Sequence, residues 1–354
     1  MEKILMKGNE AIAEAAIMAG CRQYFGYPIT PQNQIPEYMS KRMPQVGGTF
    51  LQSESEVAAI NMVYGAAGAG GRVMTSSSSP GISLKQEGIS YIVGAELPCV
   101  IVNIVRGGPG LGGIQPAQSD YNQSTRGGGH GDYRMIVLAP SSVQEAIELT
   151  QDAFDLADIY RNPVMVMGDG MIGQMMEPVV IKEREPVALP DKAWAATGWD
   201  GKTRPRAVIN SLFIDPEVLE KHNLKLQAKY AAIEKEQVRV EVDCPEDSEY
   251  IIVAYGTVAR ITSKAVAMAR AEGMKVGLIR PITLWPFPKD AIKNAVTDKV
   301  KHVMTVELAA GQMLDDVRIA IGNGVPSSCF YRLGGMVPTS REVFNNIMKL
   351  KGGK

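Results

Sequence analysis

The chain carries its clearest indication of fold in two segments, Gly26-Tyr27-Pro28-Ile29-Thr30-Pro31 and Gln52-Ser53-Glu54-Ser55-Glu56-Val57-Ala58-Ala59. The two prolines of the first segment fix φ at two points and remove two backbone donors, which predicts a stiff loop around Thr30 at the end of a strand. The second segment places the carboxylate of Glu56 at the start of a small-residue helix, on the positive end of the helix dipole. An acid at a helix start also serves stability alone, and this alternative stays open.

Around these segments, residues 10–180 alternate short apolar runs with helical patterns, which is typical of an α/β domain with a parallel sheet. Buried strands rich in Val and Ile are predicted at 24–27, 73–76, 99–105, 136–138 and 164–167. The motif Ser142-Val-Gln-Glu145 is a capping box and predicts a helix to about residue 157. Residues 1–182 are interpreted as the first domain.

The rest of the chain predicts a linker and a second domain. Residues 183–247 are charged and contain prolines and glycines, and they predict a linker with an exposed helical excursion over 216–235 that we expect to pack on a partner. Residues 248–354 predict a second α/β domain, whose last helix is opened by the capping box Thr339-Ser-Arg-Glu342.

The bulk composition excludes several classes of protein. The chain has 354 residues, of which 45% are hydrophobic and 21% charged, as in a globular protein of two or three domains. Its formal net charge of -1 gives no electrostatic reason to bind nucleic acid or an anionic membrane. The sequence shows no signal peptide and no run of the roughly 20 apolar residues that a transmembrane helix needs. A cytoplasmic protein is predicted.

The cysteines and histidines predict no metal on this chain. Four cysteines, at positions 21, 99, 244 and 329, are scattered and form no Cys-x-x-Cys pair. They predict reduced thiols, with no iron–sulfur cluster and no Cys-based zinc site. The three histidines are too far apart in sequence to suggest a metal site.

A charged residue and a glycine-rich loop follow the apolar run at 99–105. Arg106 is predicted at the carboxyl end of a strand, the ligand-binding edge of a parallel sheet, with an ordinary ion-paired arginine as the alternative. Gly108-Pro-Gly-Leu-Gly-Gly113 satisfies G-x-G-x-x-G, but no helix is predicted directly after it, which disfavours a nicotinamide-dependent dehydrogenase. An active-site loop that takes several conformations is the preferred interpretation.

The pairing of the two opening segments resembles the thiamine-diphosphate 2-oxoacid:ferredoxin oxidoreductases. In that family the YPITP loop and the acid after it belong to the part that holds the cofactor's aminopyrimidine ring. The resemblance implies a pyrimidine-type domain with cofactor contacts from Pro28, Ile29, Thr30 and Glu56. A carboxylate hydrogen-bonded to the ring nitrogen favours the reactive tautomer of that ring. The family pattern Glu-x-Ala-Ala matches residues 56–59, which assigns this role to Glu56 rather than to Glu54.

The resemblance also implies a substrate site. In the family, an arginine between an apolar strand and a flexible loop meets the carboxylate of the 2-oxoacid, and this corresponds to Arg106, whose planar fork suits a carboxylate. Thr30 corresponds to a threonine that helps to hold the substrate through its hydroxyl. Glu56, Arg106 and Thr30 are therefore the expected catalytic residues.

Gly168-Asp169-Gly170 is interpreted as a turn after a strand, because the asparagines that complete the usual diphosphate–Mg²⁺ motif are missing downstream. The resemblance implies that Mg²⁺ and 4Fe–4S clusters lie on partner subunits and that thiamine diphosphate is shared with one of them. The expected partners are a thiamine-diphosphate/Mg-binding subunit, gamma-type and ferredoxin-like subunits, ferredoxin, the 2-oxoacid and CoA. Activity is expected only in the assembled complex.

Within the family, the stretches Ser-Ser-Ser-Ser-Pro-Gly at 76–81 and Arg-Gly-Gly-Pro-Gly-Leu-Gly-Gly at 106–113 look most like the branched-chain (3-methyl-2-oxobutanoate) type. The 2-oxoglutarate type is the alternative. The expected activity is CoA-dependent oxidative decarboxylation to an acyl-CoA and CO₂ with reduction of ferredoxin. The second domain resembles the C-terminal domain of transketolases, which lies away from the chemistry. A non-catalytic assembly subunit is the alternative from another class.

Overall fold

A computed structural model of the chain describes residues 3–182, 184–185, 187–199, 201–203 and 205–352. Position 183, where the linker is predicted to begin, lies outside the described residues, as do the two ends of the chain. Within these ranges, no helix combines the length and the apolarity that crossing a membrane requires. The chain forms two α/β units, and one strand of the second pairs with the sheet of the first.

Strands and helices alternate along both units. The first contains β1 (Ile4–Lys7), α1 (Gly8–Met18), β2 (Gln23–Gly26), α2 (Gln34–Arg42), a 3₁₀ helix (Pro44–Val46), β3 (Thr49–Gln52), α3 (Glu56–Gly68), β4 (Val73–Ser77), α4 (Pro80–Gly94), β5 (Val100–Val105), α5 (Tyr121–Arg126), β6 (Ile136–Leu138), α6 (Val143–Tyr160), β7 (Val164–Asp169), α7 (Gly170–Gln174) and β8 (Met176–Val179). The rest contains α8 (Pro216–Glu236), β9 (Val240–Asp243), β10 (Tyr250–Val253), α9 (Gly256–Ala271), β11 (Val276–Pro281), β12 (Thr283–Trp285), α10 (Lys289–Ala295), β13 (His302–Glu307), α11 (Gln312–Ile321), β14 (Ser327–Tyr331) and α12 (Ser340–Leu350).

The first sheet has seven strands in the order β12-β6-β7-β5-β4-β2-β3. All neighbouring pairs in it are parallel except β12 with β6. Every residue of β4 and β5 is buried, as expected of a parallel sheet that is covered on both faces. The strands predicted for this unit are all present, with ends shifted by at most two residues. The predicted parallel-sheet α/β class is confirmed.

The second sheet has five strands in the order β14-β13-β10-β11-β9. β9 lies antiparallel to β11, and the other neighbours are parallel. This sheet takes its edge strand β9 from the segment predicted as a linker, so it begins upstream of residue 248. A separate antiparallel pair joins β1 to β8.

One strand and one buried arginine join the two units. β12 belongs by sequence to the second unit, but it pairs antiparallel with β6 of the first. Just before it, Arg280 is 7% exposed. Its guanidinium binds Glu145 of α6 through two hydrogen bonds of 2.9 Å and Glu241 of β9 at 2.8 Å. Bidentate pairs of an arginine with a carboxylate fix the relative orientation of the two side chains as well as stabilising the contact. The two units are therefore held in a defined orientation.

The capping box predicted at Ser142 forms only in part. Its hydroxyl accepts the N–H of Glu145 at 3.1 Å, as predicted. The Glu145 carboxylate, however, accepts the N–H of Ser141 at 2.6 Å and pairs with Arg280. The buried guanidinium draws the carboxylate away from the cap, because charge-assisted bonds are stronger than neutral ones. The box at Thr339 is complete.

Helix α8 packs one face on its own chain. Leu226, Tyr230 and Ile233 are buried, and the ring of Tyr230 meets that of Trp285 edge-on with centroids 6.0 Å apart. Leu224 is 63% exposed. The predicted helical excursion is thus anchored within the chain along one stripe, and packing of its exposed face on a partner stays a prediction.

Helices α3 and α4 meet at glycines. A Cβ at Gly88 of α4 would lie 2.4 Å from Cγ2 of Ile60 on α3, and a Cβ at Gly81 would lie 2.7 Å from Oε1 of Glu56. Both distances are too short for a real Cβ atom. The missing side chains therefore let the two helices approach each other, and this approach sets the position of Glu56.

Gly88→Ala is expected to lower the free energy of unfolding by about 1–3 kcal/mol, because the added methyl group overlaps with a buried β-branched side chain. The matched control is Gly65→Ala on α3, where a Cβ would meet open space. There alanine should raise the free energy of unfolding by about 0.5–1 kcal/mol. Urea denaturation followed by circular dichroism measures both, and equal effects of the two substitutions would contradict the described packing.

Candidate active site

The segments that follow several strands meet at one edge of the first sheet. Strands β2, β4 and β5 are neighbours and parallel, so their carboxyl ends lie side by side. Ligands of open α/β sheets bind in the crevice outside this edge. Thr30 lies in the loop after β2, Glu56 begins the helix after β3, and Arg106 follows β5 directly. We call this region the carboxyl-edge site.

The loop after β2 is held from two sides. The carbonyl of Pro31 accepts a hydrogen bond of 2.8 Å from Asn9 of α1 and another of 2.8 Å from the last residue of α7. Thr30 and Pro28 are exposed, and Ile29 is half-buried. The loop therefore presents Thr30 and Pro28 outward, where a ligand or a second chain has access to them.

Glu56 is the first residue of α3 and is 6% exposed. The helix begins there because Ser55 is extended and its hydroxyl accepts the N–H of Ala58 at 3.2 Å. The carboxylate lies against α4, where Gly81 leaves room for Oε1. A nearly buried carboxylate at the positive end of a helix is suited to accept a hydrogen bond at a defined position. The competitor Glu54 is exposed.

The end of β4 carries buried hydroxyls, and that of Ser77 lies near Glu56, since a Cβ at Gly81 would lie 2.0 Å from Oγ of Ser77 and 2.7 Å from Oε1 of Glu56. Ser76 donates a hydrogen bond of 2.5 Å to Gln32. The hydroxyls of Ser77 and Ser78 are buried and make no hydrogen bond among the described residues. A buried polar group without a partner is costly. Two of them at the sheet edge therefore indicate a ligand that forms hydrogen bonds there.

Arg106 is 7% exposed, and backbone carbonyls hold its guanidinium. Nη1 donates to the carbonyl of Thr30 at 2.8 Å, and Nη2 donates to the carbonyl of Leu111 at 3.0 Å. Nε is buried and has no partner among the described residues. The structure thus brings Arg106 and Thr30 together, through the carbonyl of Thr30 rather than its hydroxyl. Of the five N–H donors of the guanidinium, the buried Nε–H is therefore free for another acceptor.

A cavity of about 710 Å³ opens next to Arg106 between the two units. Asp120 also lines it, and burial raises the pKa of this carboxyl, which accepts a hydrogen bond of 2.9 Å from Asn103. Among the described residues of the lining, Arg106 is the one basic side chain. The apolar lining comes from both units and includes Leu84, Pro109, Leu308 and Leu333. The second unit therefore reaches the site, which differs from the expectation that it lies away from the chemistry.

The loop at Gly108–Gly113 closes on itself. The N–H of Gly113 donates to the carbonyl of Gly107 at 2.8 Å, and a Cβ at Gly112 would lie 1.8 Å from the same oxygen. The next helix of the described chain, α5, begins only at Tyr121. The loop therefore lacks the helix N-terminus that a dinucleotide phosphate would need.

Asp169 joins β7 to α7. Its Oδ1 accepts the N–H groups of Met171 at 2.8 Å and Ile172 at 3.1 Å, and the hydroxyl of Thr257 at 3.0 Å. Burial raises the pKa of this carboxyl. Gly168-Asp169-Gly170 is thus a capped junction that also fastens the start of α9. In the part of the chain that the structure describes, no three His, Cys, Asp or Glu side chains are grouped as metal ligands.

Asp169→Ala is expected to lower the free energy of unfolding by about 0.5–2 kcal/mol, because it removes a helix cap. Asp169→Asn should retain most of the stability, since the amide oxygen accepts the same N–H bonds. Asp215, which caps α8 in the same way, provides a matched pair of control substitutions. Urea denaturation measures all four variants. Stabilisation by Mg²⁺ that is lost in Asp169→Asn would show instead that Asp169 is a metal ligand.

Lys85 is not among the residues predicted from the sequence. It lies on α4 with 0% exposure, and its Nζ donates to the hydroxyl of Thr75 at 2.7 Å and to a backbone carbonyl of β4 at 3.0 Å. Burial lowers the pKa of its ammonium to about 7, and the carboxylate of Glu56 opposes this fall. Its burial could have been predicted from helical spacing, because Lys85 lies on the apolar face of α4 with Ile82 and Ile89.

Comparison with known protein families gives two matches. Residues 14–241 match the family described as pyruvate flavodoxin/ferredoxin oxidoreductase, thiamine diP-bdg. Residues 248–343 match the family described as pyruvate:ferredoxin oxidoreductase core domain II. The first match contains Thr30, Glu56 and Arg106.

Individual proteins are similar over almost the whole chain. The ketoisovalerate oxidoreductase subunit VorB of Methanothermobacter marburgensis is 50% identical, over 98% of each chain. The 2-oxoglutarate synthase subunit KorA of Methanothermobacter thermautotrophicus is 36% identical, over 99% of each chain. Among solved structures, the 2-oxoglutarate:ferredoxin oxidoreductase from Magnetococcus marinus is 26% identical with a TM-score of 0.84, and the match covers 98% of this chain and 65% of the solved chain.

Proposed function

Because the chain belongs to the pyruvate flavodoxin/ferredoxin oxidoreductase family, we propose that it is the pyrimidine-holding subunit of a 2-oxoacid:ferredoxin oxidoreductase acting on 3-methyl-2-oxobutanoate (ketoisovalerate). The assembled complex converts the 2-oxoacid and CoA into an acyl-CoA and CO₂ and passes the electrons to ferredoxin. The observation that carries the proposal is the carboxylate of Glu56, nearly buried at a helix start near the buried hydroxyl of Ser77, which has no partner among the described residues.

The groups around Glu56 fit the aminopyrimidine ring of thiamine diphosphate. The carboxylate is an acceptor, and the hydroxyls of Ser77 and Ser78 both donate and accept, which matches a ring edge that carries nitrogen acceptors and an amino group. Gly81 keeps the space beside them free of a Cβ. When bound, the cofactor supplies a carbon nucleophile and an electron sink for decarboxylation. Glu56 would hold a proton against the ring nitrogen, and the two serines would orient the ring.

Arg106 is proposed to bind the carboxylate of the 2-oxoacid. Its Nε is a buried donor without a partner among the described residues. The carbonyls of Thr30 and Leu111 fix the plane of the guanidinium. A guanidinium held in this way loses little further freedom when it binds a carboxylate. The exposed hydroxyl of Thr30 is proposed to add a hydrogen bond to the same substrate.

The cavity beside Arg106 supports a branched monocarboxylic substrate over 2-oxoglutarate. A dicarboxylate would bring a second negative charge, and the described lining offers it no basic group besides Arg106, but does offer Asp120. Leu84, Leu308 and Leu333 supply apolar surface for a branched side chain. Sequence identity also favours the branched substrate, because the chain is 50% identical to the ketoisovalerate relative and 36% identical to the 2-oxoglutarate relative.

Partner subunits are proposed to hold Mg²⁺, the 4Fe–4S clusters and the remainder of thiamine diphosphate. Asp169 is used as a helix cap, and the four free cysteines are not spaced as cluster ligands. Free thiols also fit a reducing compartment such as the cytoplasm. A purely structural assembly subunit fits less well, because a scaffold has no need of a buried acid near a buried hydroxyl that lacks a partner among the described residues.

Glu56→Gln is expected to leave the complex assembled and to slow turnover by about 10²–10⁴-fold, because an amide is a far weaker proton acceptor than a carboxylate. The measurement is the exchange rate of the C2 proton of thiamine diphosphate, followed by NMR in the purified complex after mass spectrometry of its bound cofactors. The control is Glu54→Gln, an exposed acid two residues earlier, which should exchange normally. Near-normal exchange in Glu56→Gln, or a native complex without thiamine diphosphate, would overturn the proposal.

Arg106→Lys is expected to lower kcat/KM for every 2-oxoacid, by an amount equivalent to about 1–3 kcal/mol of transition-state stabilisation. The reason is that lysine keeps the charge but lacks the planar guanidinium that binds a carboxylate through two hydrogen bonds. Affinity for thiamine diphosphate should change little. Steady-state kinetics with branched, linear and dicarboxylic 2-oxoacids measures the effect. A change only in the ranking of these substrates would show that Arg106 contacts the substrate side chain and not the shared carboxylate.

A further inference from the structure

Asn103 is the one polar residue of β5, and its side chain is fully buried. Both ends of its amide are hydrogen-bonded. Oδ1 accepts the N–H of Ser79 at 3.2 Å, and Nδ2 donates to Oδ2 of Asp120 at 2.9 Å. Ser79 directly precedes α4, and Asp120 directly precedes α5. One side chain therefore joins the beginnings of two helices to the strand that leads into Arg106.

Both hydrogen-bond partners of Asn103 line the cavity of about 710 Å³ beside Arg106. Asn103 itself is not among the described residues of that lining. Asp120 occupies the N-cap position of α5, yet its side chain accepts no N–H of that helix. Its contact with Asn103 takes the place of the usual cap. Asn103 thus lies behind the cavity and fixes two residues of its lining.

The hydroxyl of Ser79 connects Asn103 to the main chain of Arg106. It accepts the N–H of Arg106 at 3.1 Å and donates to the carbonyl of the same residue at 3.4 Å. Ser79 has a φ of 28° and a ψ of -84°, outside the regions that residues other than glycine prefer. Such a conformation persists only where the surroundings hold it. Asn103 provides this hold at the N–H of Ser79.

We propose that Asn103 is a positioning residue for the 2-oxoacid, because it fixes Arg106 through Ser79. The carbonyls of Thr30 and Leu111 set the plane of the Arg106 guanidinium, while the hydroxyl of Ser79 anchors the main chain that carries it. A shift of about 1 Å in a group that positions a substrate can lower the rate by about 10²-fold. The inference rests on the proposed function, in which Arg106 binds the carboxylate of the 2-oxoacid.

A structural role alone would predict a different result. If Asn103 only satisfies buried hydrogen-bonding groups, its replacement should lower stability and leave substrate use by the assembled complex unchanged. If it contributes to substrate binding independently of Arg106, the effects of replacing both residues on kcat/KM should multiply. If it acts through Arg106, its replacement should have little further effect once Arg106 has been replaced, because residues that act through one contact are not additive.

The experiment is a double-mutant cycle of Asn103→Val and Arg106→Lys in the assembled complex, with kcat and KM measured for 3-methyl-2-oxobutanoate. Valine suits a buried strand and makes neither hydrogen bond of the amide. Asn103→Val is expected to lower kcat/KM by about 10- to 100-fold, mainly by raising KM. The affinity of the complex for thiamine diphosphate should be unchanged. In the double variant, kcat/KM should be close to that of Arg106→Lys alone.

A conservative variant tests the route through Ser79. Asn103→Asp keeps the acceptor for the N–H of Ser79. Because two facing carboxyl groups share a proton, it also keeps a link to Asp120. This variant should recover most of the kcat/KM that Asn103→Val loses. If Asn103→Val does not assemble, Asn103→Ala replaces it in the cycle, since alanine removes the same hydrogen bonds and adds no volume.

Asn162→Val is the matched control. Asn162 is a second fully buried asparagine of the first unit, and its amide donates to the carbonyl of Arg134 at 3.0 Å. It lies just before β7, at the amino-terminal edge of the first sheet and therefore away from the cavity. Its replacement also removes a buried hydrogen bond, and it should leave KM for the 2-oxoacid unchanged.

The outcomes separate this inference from the proposed function. If Arg106→Lys lowers kcat/KM but Asn103→Val does not, or if the two losses multiply, the inference is overturned and the proposed carboxylate site stands. If Arg106→Lys leaves kcat/KM unchanged, the proposed site fails and the inference fails with it. A loss in Asn103→Asp as large as that in Asn103→Val also overturns the inference, because the hold on Ser79 would then not be what matters.

Discussion

The close contact between α3 and α4 is the constraint on which the carboxyl-edge site depends. Glycines at the contact remove the side chains that would otherwise separate the helices. The carboxylate of Glu56 is thereby buried between the two helices, where water has almost no access. In such surroundings each neighbouring charge or dipole acts more strongly than it would in water. The acid, the buried lysine and the two unpaired serine hydroxyls therefore have to be understood as one arrangement, set by helix packing.

The second constraint is the fit between the two units. Gln118 shows how tight this fit is, because it donates to the carbonyl of Tyr255 at 3.1 Å and accepts the N–H of Leu308 at 2.9 Å. Leu308 also lines the cavity beside Arg106. The shape of that cavity consequently depends on residues more than a hundred positions away in the sequence. A unit that contributes no acid or base at the site can still decide which side chain the cavity admits.

Short sequence patterns predicted the elements whose structure depends on neighbouring residues in the chain. Buried parallel strands are continuous apolar runs, so β5 and β7 were visible in the sequence, and the start of α3 followed from its small residues and its acid. β3 was missed because it is a four-residue edge strand with three exposed residues, so it shows no buried apolar run. β12 was missed because its partner β6 lies far away in the sequence. The burial of Lys85 could have been predicted from its helical spacing with Ile82 and Ile89, whereas the bond from Arg106 to the Thr30 carbonyl joins distant positions and arises only after folding.

The strand that crosses between the units limits where this chain can be divided. A cut at the boundary near residue 248 would separate β12 from β6, and the first sheet would then end in an unpaired, apolar strand. Unpaired strand edges recruit other chains. Gene fission or fusion at that point would therefore have to carry the short segment Thr283–Trp285 along or replace it.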